Sequence, residues 1–543
     1  MSLLRSSAMM ATGTVVSRVT GIARDIAMTA ALGFFITSDA FSLGNTLPNI
    51  LAILVAGGAL NAVFIPQLVR HIKDDTDGGA AYADRLLTVV TLWLIVVTTV
   101  AIAFAPQLVS IYASSDYTPE HAALATAFAR WCLPQIVFYG LFTMWSQVLN
   151  ARGHFAVPMF APIVNNVVSI ATFIAFMRVT THGEVVNASL TATQIAVLGA
   201  GTTLGVIAQA CTLVPVLFRA GYRYRPRFDL RDNGLGHAGS LALWTLGLVV
   251  VNQLAYVVVT RLATSANGLA AAAGSTAAGL TTYQKAHLVF MLPHSVITVS
   301  LVTALLPQLS RIAHMGDLRE VGTSVASAIR LISALIVPVA AILLVLAPTF
   351  TSLMFGFGAA THDSAVLTGH VVQVFALGLL PFTLVYLLFR GWYALEDTRS
   401  PFWVTVLINI VNLGLSVPLF AAVPLALKVP ALAVAYVIAY WVALVVAWPR
   451  LERRLGHLET ASTVQALVRM TVAGIVAAAA GAIVLAALPD TFATADRPQL
   501  LVLSALVAFV IAAIYGLAAH AMHVAEVHRA VALLRRRLPG RSA

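Results

Sequence analysis

The chain has 543 residues, of which 60% are hydrophobic and 10% charged, and its mean hydropathy is +0.91. Soluble domains carry about 25% charged residues, so this composition excludes a soluble enzyme or solvated binding module and implies an all-α integral membrane protein. The net charge of +11 does not point to nucleic acid, because the arginines cluster in short segments beside apolar runs, which is a topology signal.

The apolar runs contain Gly and Pro and are each about 20 residues or longer, as spanning helices are; barrel strands would alternate every second residue. Fourteen spans are expected, near residues 8–35, 42–68, 86–112, 122–149, 157–178, 193–218, 239–263, 272–306, 322–348, 365–392, 401–424, 429–448, 465–488 and 499–522. The run after Arg5 leads straight into a further span, which does not fit a cleavable signal. An even number of spans puts both termini on one side. Outside the spans, every Lys and Arg except Arg178, Lys428 and Arg497 then falls on that side, which the positive-inside rule makes the cytoplasm.

Taken in order, the first span holds Ser17-Arg18-Val19-Thr20-Gly21-Ile22-Ala23-Arg24-Asp25. A charge at the centre of a spanning helix costs roughly 2.5–3.5 kcal/mol on insertion scales, so these groups should face a wet cavity or a partner. Arg18, Gly21 and Asp25 follow i, i+3, i+7 spacing on one face, with Arg24 turned away from Arg18. Arg18 therefore either lines a cavity or neutralises Asp25. Asp39, in Ser38-Asp39-Ala40-Phe41, reads locally as an N-cap of the second span. Pro48-Asn49 is expected to interrupt that span as a hinge, and Gly57-Gly58 to pack closely. Arg130 either lines the cavity or snorkels, and Arg261 is expected to snorkel to the outer surface. Lys285, beside His287, lies deeper in the eighth span. Asn165, Asn166, Asn409 and Asn412 read as helix-joining hydrogen-bond groups. Cys132 and Cys211 both fall in apolar runs and imply no disulfide framework.

The chain also repeats. Leu133-Pro134, Tyr139, Leu141-Phe142 and Trp145 recur as Leu380-Pro381, Tyr386, Leu388-Phe389 and Trp392. Pro66-Gln67-Leu68 with Arg70 recurs as Pro307-Gln308-Leu309 with Arg311, and Pro158 with Asn166 recurs as Pro401 with Asn409. These matches are six spans apart, an even number, so the copies are parallel, and transporters of such build place substrate near the midplane between the halves. The expected organisation is an N-terminal six-helix lobe (1–218), a basic cytoplasmic linker (219–238), a C-terminal six-helix lobe (239–448), two extra helices (449–522) and a basic tail (523–543). Arg223, Arg225, Arg227 and Arg231 of the linker are expected to meet anionic headgroups.

The embedded charges Arg18, Arg24, Arg130, Arg261 and Lys285 are opposed only by Asp25 and Asp39. A proton or cation pathway would favour embedded carboxylates, whereas a basic wet cavity suits an anionic substrate, and the arginine fork suits phosphate. Phosphate-loop, zinc-hydrolase and paired-carboxylate motifs do not occur. The expectation is a secondary transporter rather than an enzyme, using no cofactor or metal and driven by a gradient or by the membrane potential.

Ser17-Arg18-x-x-Gly21-x-x-Arg24-Asp25, Ser38-Asp39-Ala40-Phe41, Leu47-Pro48-Asn49, Ala62-x-Phe64-x-Pro66 and Leu149-Asn150-Ala151-x-Gly153-x-Phe155-x-x-Pro158-x-x-x-Pro162-x-x-x-Asn166 together resemble the MurJ (MviN) family. These are lipid II flippases of the multidrug/oligosaccharidyl-lipid/polysaccharide exporter superfamily. The resemblance implies alternating-access transfer of undecaprenyl-diphosphate-linked peptidoglycan precursor across the bacterial plasma membrane. By position it implies functional roles for Arg18, Arg24 and Asp39, with the arginines in a cationic cavity, and a lipid-tail groove at the last two spans. It further implies a monomer that meets membrane lipids and cell-wall synthesis and division proteins. Where many relatives have Arg and Glu, this chain has Ala52 and Gly57, and a further cavity arginine aligns near Leu288, with Lys285 and His287 as the nearest basic groups. Some actinobacterial relatives continue beyond the segment matching 528–541 into a kinase-like domain. Two other readings remain open: an exporter of another polyprenyl-linked glycan or a drug, and a non-transporting cell-wall scaffold.

Overall fold

Every regular element among the described residues of the computed structural model is a helix. Those residues are 3–54, 79–228, 239–273, 278–488 and 496–527. Two compact units emerge: residues 1–281 with 357–361, and residues 282–356 with 362–543.

The first unit contains α1 (Leu3–Leu32), α2 (Ile36–Ala52), α3 (Ala80–Ala103), α4 (Ala105–Tyr112), α5 (Pro119–Cys132), α6 (Gln135–Ala151), α7 (Ala156–Val179), the short α8 (His182–Val186), α9 (Ala192–Cys211), α10 (Val214–Arg219) and α11 (Gly239–Ala272). Their starts follow ordinary capping chemistry. Thr118 accepts the His121 N–H ahead of Pro119 in α5, and Thr191 forms a reciprocal box with Gln194 at α9, satisfying N–H groups that lack an intrahelical partner. Helix α1 packs on α7, α7 on α9, and α2 on α5. The α2–α5 approach is close enough that a Cβ at Gly44 would lie 2.8 Å from the Ala129 nitrogen. In a bilayer, such small-residue contacts replace the hydrophobic drive that water would supply.

α12 (Leu280–Pro293) begins in the first unit and runs into the second. A π-helical turn, His294–Thr298, leads to α13 (Val299–His314), α14 (Leu318–Phe355), α15 (His362–Ala376), α16 (Leu379–Ala394), α17 (Arg399–Ala422), α18 (Lys428–Leu455), α19 (Thr460–Ala487) and α20 (Arg497–Ala521). In the second unit α14 packs on α15, α17 on α18, and α19 on both α14 and α20. Ala473 and Ala477 are fully buried here against Val337, Val345 and Ile511. A Cβ on Gly474 would come 2.6 Å from Val337, and one on Gly481 2.5 Å from Ile511. The opposite faces are apolar and open: Val502 is 65%, Phe509 69% and Leu517 70% exposed. Only a lipid solvent makes that arrangement favourable.

Eleven helices among the described residues are long and apolar enough to span a membrane, and twelve when α15 and α16, bent by 50°, count as one. The expected spans 8–35 and 42–68 fall on α1 and α2, and residues 55–68 of the second expectation lie outside the description. The repeated Leu-Pro pairs have a structural basis. Leu133-Pro134 separates α5 from α6, and Leu380-Pro381 opens α16 just after its break from α15. Pro158 and Pro401 each sit at the third position of their helix, α7 and α17, where a missing N–H leaves no bond unmade. Pro48, by contrast, does not interrupt its helix: α2 continues through it to Ala52.

The described start of the 219–238 linker is strapped to the first unit. Tyr222 donates to Asp84 Oδ1 at 2.6 Å, Tyr224 and Thr88 hydroxyls lie 2.9 Å apart, and the Arg227 N–H donates to Thr88. Arg152 donates to the Ala220 carbonyl and covers the Tyr222 ring. Burial and the Asp84 carboxylate push the Tyr222 hydroxyl well above its ordinary pKa. Arg223, Arg225 and Arg227 are left exposed. Arg231, Gly57-Gly58, the Pro66-Gln67-Leu68 copy of the repeat and the basic segment 528–541 lie outside the described residues.

Candidate functional site: the polar face of the first helix

Arg18 and Arg24 differ in how the fold holds them. Arg24 Nη2 pairs with Asp25 Oδ2 at 3.0 Å, and its Nη1 donates to Asn166 Oδ1 at 3.4 Å. Asn166, on α7, is itself fixed by donating to the Ser17 carbonyl at 3.2 Å and to Thr20 Oγ1 at 3.0 Å. A Cβ at Gly21 would stop 3.7 Å from the Asn166 amide, so the amide packs beside Gly21, between its partners Thr20 and Arg24. Arg18 is exposed and has no hydrogen-bond or ion-pair partner among the described residues. Of its two open roles, neutralising Asp25 is the one the geometry removes, since the neighbouring Arg24 fills it.

Asp39 is not the cap of its own helix. Phe35 occupies the N-cap of α2 without a side-chain bond, and Asp39 sits in the first turn, fully buried. Its Oδ1 accepts the Thr281 N–H at 2.7 Å; its Oδ2 accepts the Leu280 N–H and the Asn267 amide, each at 2.9 Å. Leu280 and Thr281 open α12, so this carboxylate caps a helix elsewhere in the chain. A buried charge is tolerable only when so paired, and the free N–H groups and positive end of a helix are a fitting partner. Ser38 accepts from the Thr281 hydroxyl at 3.1 Å and completes the cluster.

A second polar group, which the sequence reading missed, lies inside the same unit. Gln135 Nε2 donates to Asn45 Oδ1 at 3.2 Å and to Thr203 Oγ1 at 3.1 Å, while Tyr139 donates to Gln135 Oε1 at 3.2 Å. Thr203 in turn donates to the Trp131 carbonyl exposed by the α5–α6 break. The signal available in sequence was the Gln immediately after Leu133-Pro134 in an apolar run. Buried amides in lipid need such partners.

The remaining candidates are dispersed. Arg130, in the last turn of α5, is exposed and has no partner among the described residues. Arg261 does not snorkel freely: it donates to the Ser110 and Ile111 carbonyls at the end of α4. Lys285 is buried, 4% exposed. His287, its neighbour in sequence, is enclosed by the rings of Tyr283, Phe290, Phe375 and Tyr436 at centroid distances of 5.6 to 6.4 Å. Asn49 is exposed and Pro48 buried. No group of His, Cys, Asp and Glu among the described residues could hold a metal ion.

Long apolar helices with lipid-facing exteriors, broken at matched Leu-Pro positions and carrying basic groups on α1, define a multi-pass membrane protein of the transporter class. The chain belongs to the MurJ family: the family profile "Lipid II flippase MurJ" matches residues 28–503. A lipid II flippase MurJ of Burkholderia cenocepacia is 29% identical over 418 residues, 76% of this chain and 77% of that one. Among solved structures, a lipid II flippase MurJ in an inward closed conformation matches with a TM-score of 0.70 at 16% identity, covering 93% of this chain and 97% of that chain. An inward-facing multidrug resistance MATE transporter of the MOP superfamily matches with a TM-score of 0.63 at 16% identity, covering 82% and 96%. These two structural likenesses show the fold.

Proposed function

We propose that this chain moves lipid II from the inner to the outer leaflet of the bacterial plasma membrane by alternating access, as a secondary transporter with both termini in the cytoplasm. The observation that carries the reading is the asymmetric pair on α1. Arg24 is oriented by Asp25 and Asn166, while Arg18 keeps its donors free, in a chain that matches the MurJ family over most of its length. A pre-oriented guanidinium and an unpaired one on the same helix suit an anionic substrate such as a diphosphate, whose oxygens accept forked hydrogen bonds. Arg130 and Lys285 are proposed as further contacts for the substrate's anionic groups, Asp39 as the anchor of α12, and Gly21, Pro48 and Asn49 as points where helices bend. The proposed working parts are the lobes 1–218 and 239–448, with 449–522 carrying the lipid tail. The protein is proposed to act as a monomer surrounded by membrane lipids, drawing on the membrane potential or an ion gradient, and to meet cell-wall synthesis and division proteins.

An exporter of cationic drugs would need free acidic groups. Asp25 is paired with Arg24, and Asp39 is committed to three donors, so neither suits that role.

The test is depletion of the protein with a lipid II probe confined to the outer leaflet. Arrival should fall on depletion, recover with the wild-type chain, and stay low with Arg18→Ala or Arg24→Ala at normal protein abundance. Undiminished arrival after depletion removes the flippase reading. Recovery with both variants removes the arginines from it and favours a scaffold.

A further inference from the structure

A cleft of about 270 Å3 lies in the second unit, among Arg330 of α14, the first turns of α19 and residues 523–526 beyond α20. At its base, Arg330 Nη1 pairs with Glu459 Oε2 at 2.7 Å and donates to Thr463 at 3.0 Å, and its Nε pairs with Glu526 Oε1 at 3.1 Å. One guanidinium thus serves two carboxylates. Glu459 Oε1 and Glu526 Oε2 accept nothing from the described residues, leaving a surplus negative charge on one wall.

The same helix also brings the opposite charge to the cleft. Arg469, two turns further along α19, lines the cleft and has no ion-pair or hydrogen-bond partner among the described residues. Gln465 and His523 line the same space with open polar groups. Glu459 and His523 are held at φ 45° and 55°, the left-handed region that non-glycine residues rarely adopt. Such backbone persists where the surroundings fix it, often at ligand sites.

Beside and beyond Arg469 the surface of α19 is apolar and open: Val468 is 56%, Val472 41% and Val476 46% exposed. The cleft is at the arginine-rich end of its helices, since Arg450, Arg453 and Arg454 close α18 a few residues before Glu459. That is headgroup level on the positive side of a bilayer. Free carboxylate oxygens, a free guanidinium lining the same cleft and an exposed valine strip on α19 form a complement to one kind of molecule.

We propose that this cleft binds a phosphoethanolamine headgroup, as carried by a phosphatidylethanolamine lipid. Its phosphodiester lies on Arg469, its primary ammonium on the free oxygens of Glu459 and Glu526, and its acyl chains along Val468, Val472 and Val476. A purely anionic headgroup leaves the carboxylates unserved and meets their charge. A phosphatidylcholine headgroup has no N–H to donate to them.

The test uses the full-length protein, delipidated in detergent, with native mass spectrometry read against phosphatidylethanolamine, phosphatidylglycerol and phosphatidylcholine of identical chains. Soluble O-phosphoethanolamine serves as the headgroup-only arm. Phosphatidylethanolamine should be retained about tenfold more tightly than the other two lipids, the equivalent of one charge-assisted hydrogen bond. Arg469→Gln should abolish that preference, and Ser462→Trp, which narrows the cleft and keeps the Arg469 side chain, should abolish it as well. Equal retention of the three lipids overturns the proposal, as does a preference that survives both substitutions. Full competition by O-phosphoethanolamine at the lipid's own concentration overturns the lipid part of it.

Discussion

Gly279 lies where a Cβ would come within 2.3 Å of Asp39 Oδ2 and 2.7 Å of the Asn267 Cβ. The carboxylate reaches the first N–H groups of α12 only because the preceding residue has no side chain. Gly279→Ala should therefore destabilise the first unit by about 1–3 kcal/mol through overpacking. Asp39→Asn, which brings N–H donors to a point where three donors already converge, should cost about 1.5–3 kcal/mol. Thermal unfolding of the purified variants measures both. The double variant should lose less than the sum, because the two changes break one cluster. Full additivity would mean that the cap is not a unit.

Arg18 and Asn166 should separate stability from function. Asn166→Ala removes two bonds that Asn166 donates to α1 and the acceptor of Arg24, and should lower stability by about 1–3 kcal/mol together with transport. Arg18→Ala breaks nothing that holds the fold, so its melting temperature should match wild type while outer-leaflet arrival of lipid II fails. Equal melting shifts for the two would contradict this division.

Gln135 gathers three partners from α2, α6 and α9. Gln135→Leu should cost about 1–3 kcal/mol, since Asn45 and Tyr139 are left with unmade bonds in an apolar interior. Replacing Asn45 by Leu in the same chain should recover part of that loss, measured by unfolding in the same detergent.

The ion triad at Arg330 makes a sharper prediction. Arg330→Met leaves the Glu526 and Glu459 carboxylates, 11% and 26% exposed, without their cation. Breaking a buried pair from one side costs about 3–5 kcal/mol, whereas removing all partners is often nearly neutral. The triple variant Arg330→Met, Glu459→Gln, Glu526→Gln should therefore unfold close to wild type. A triple variant as weak as the single one would show that packing, rather than charge, carries the effect.

The helices and the charged residues of α1 were legible in the sequence because each is written in local periodicity or in the rarity of charge. The Leu-Pro pairs were legible as a repeat, but the breaks they mark inside the expected spans 122–149 and 365–392 were not. Asn166 as a helix-joining residue was legible from the rarity of polar groups in an apolar run. What the sequence hid is long-range pairing. Ser38-Asp39 before an apolar run is the local signature of a cap, yet the helix it caps begins 241 residues away. Arg330 stands on the arginine-rich side by charge sorting, which says nothing of Glu459 and Glu526. His287 beside Lys285 looks like a second cavity base in sequence, but four aromatic rings take it up. In each case the deciding neighbour comes from a distant helix, and one sequence carries no register between helices.

The glycine and alanine contacts of α19 against α14 and α20 have a practical consequence. With Gly474 on Val337 and Gly481 on Ile511 and no side chain between them, the three helices cannot slide past each other without collision, so they form one mechanical body. Phe509 and Leu517, on the open side of that body, are then handles. A spin label or fluorophore placed there reports displacements of α14 from the open apolar side of that body.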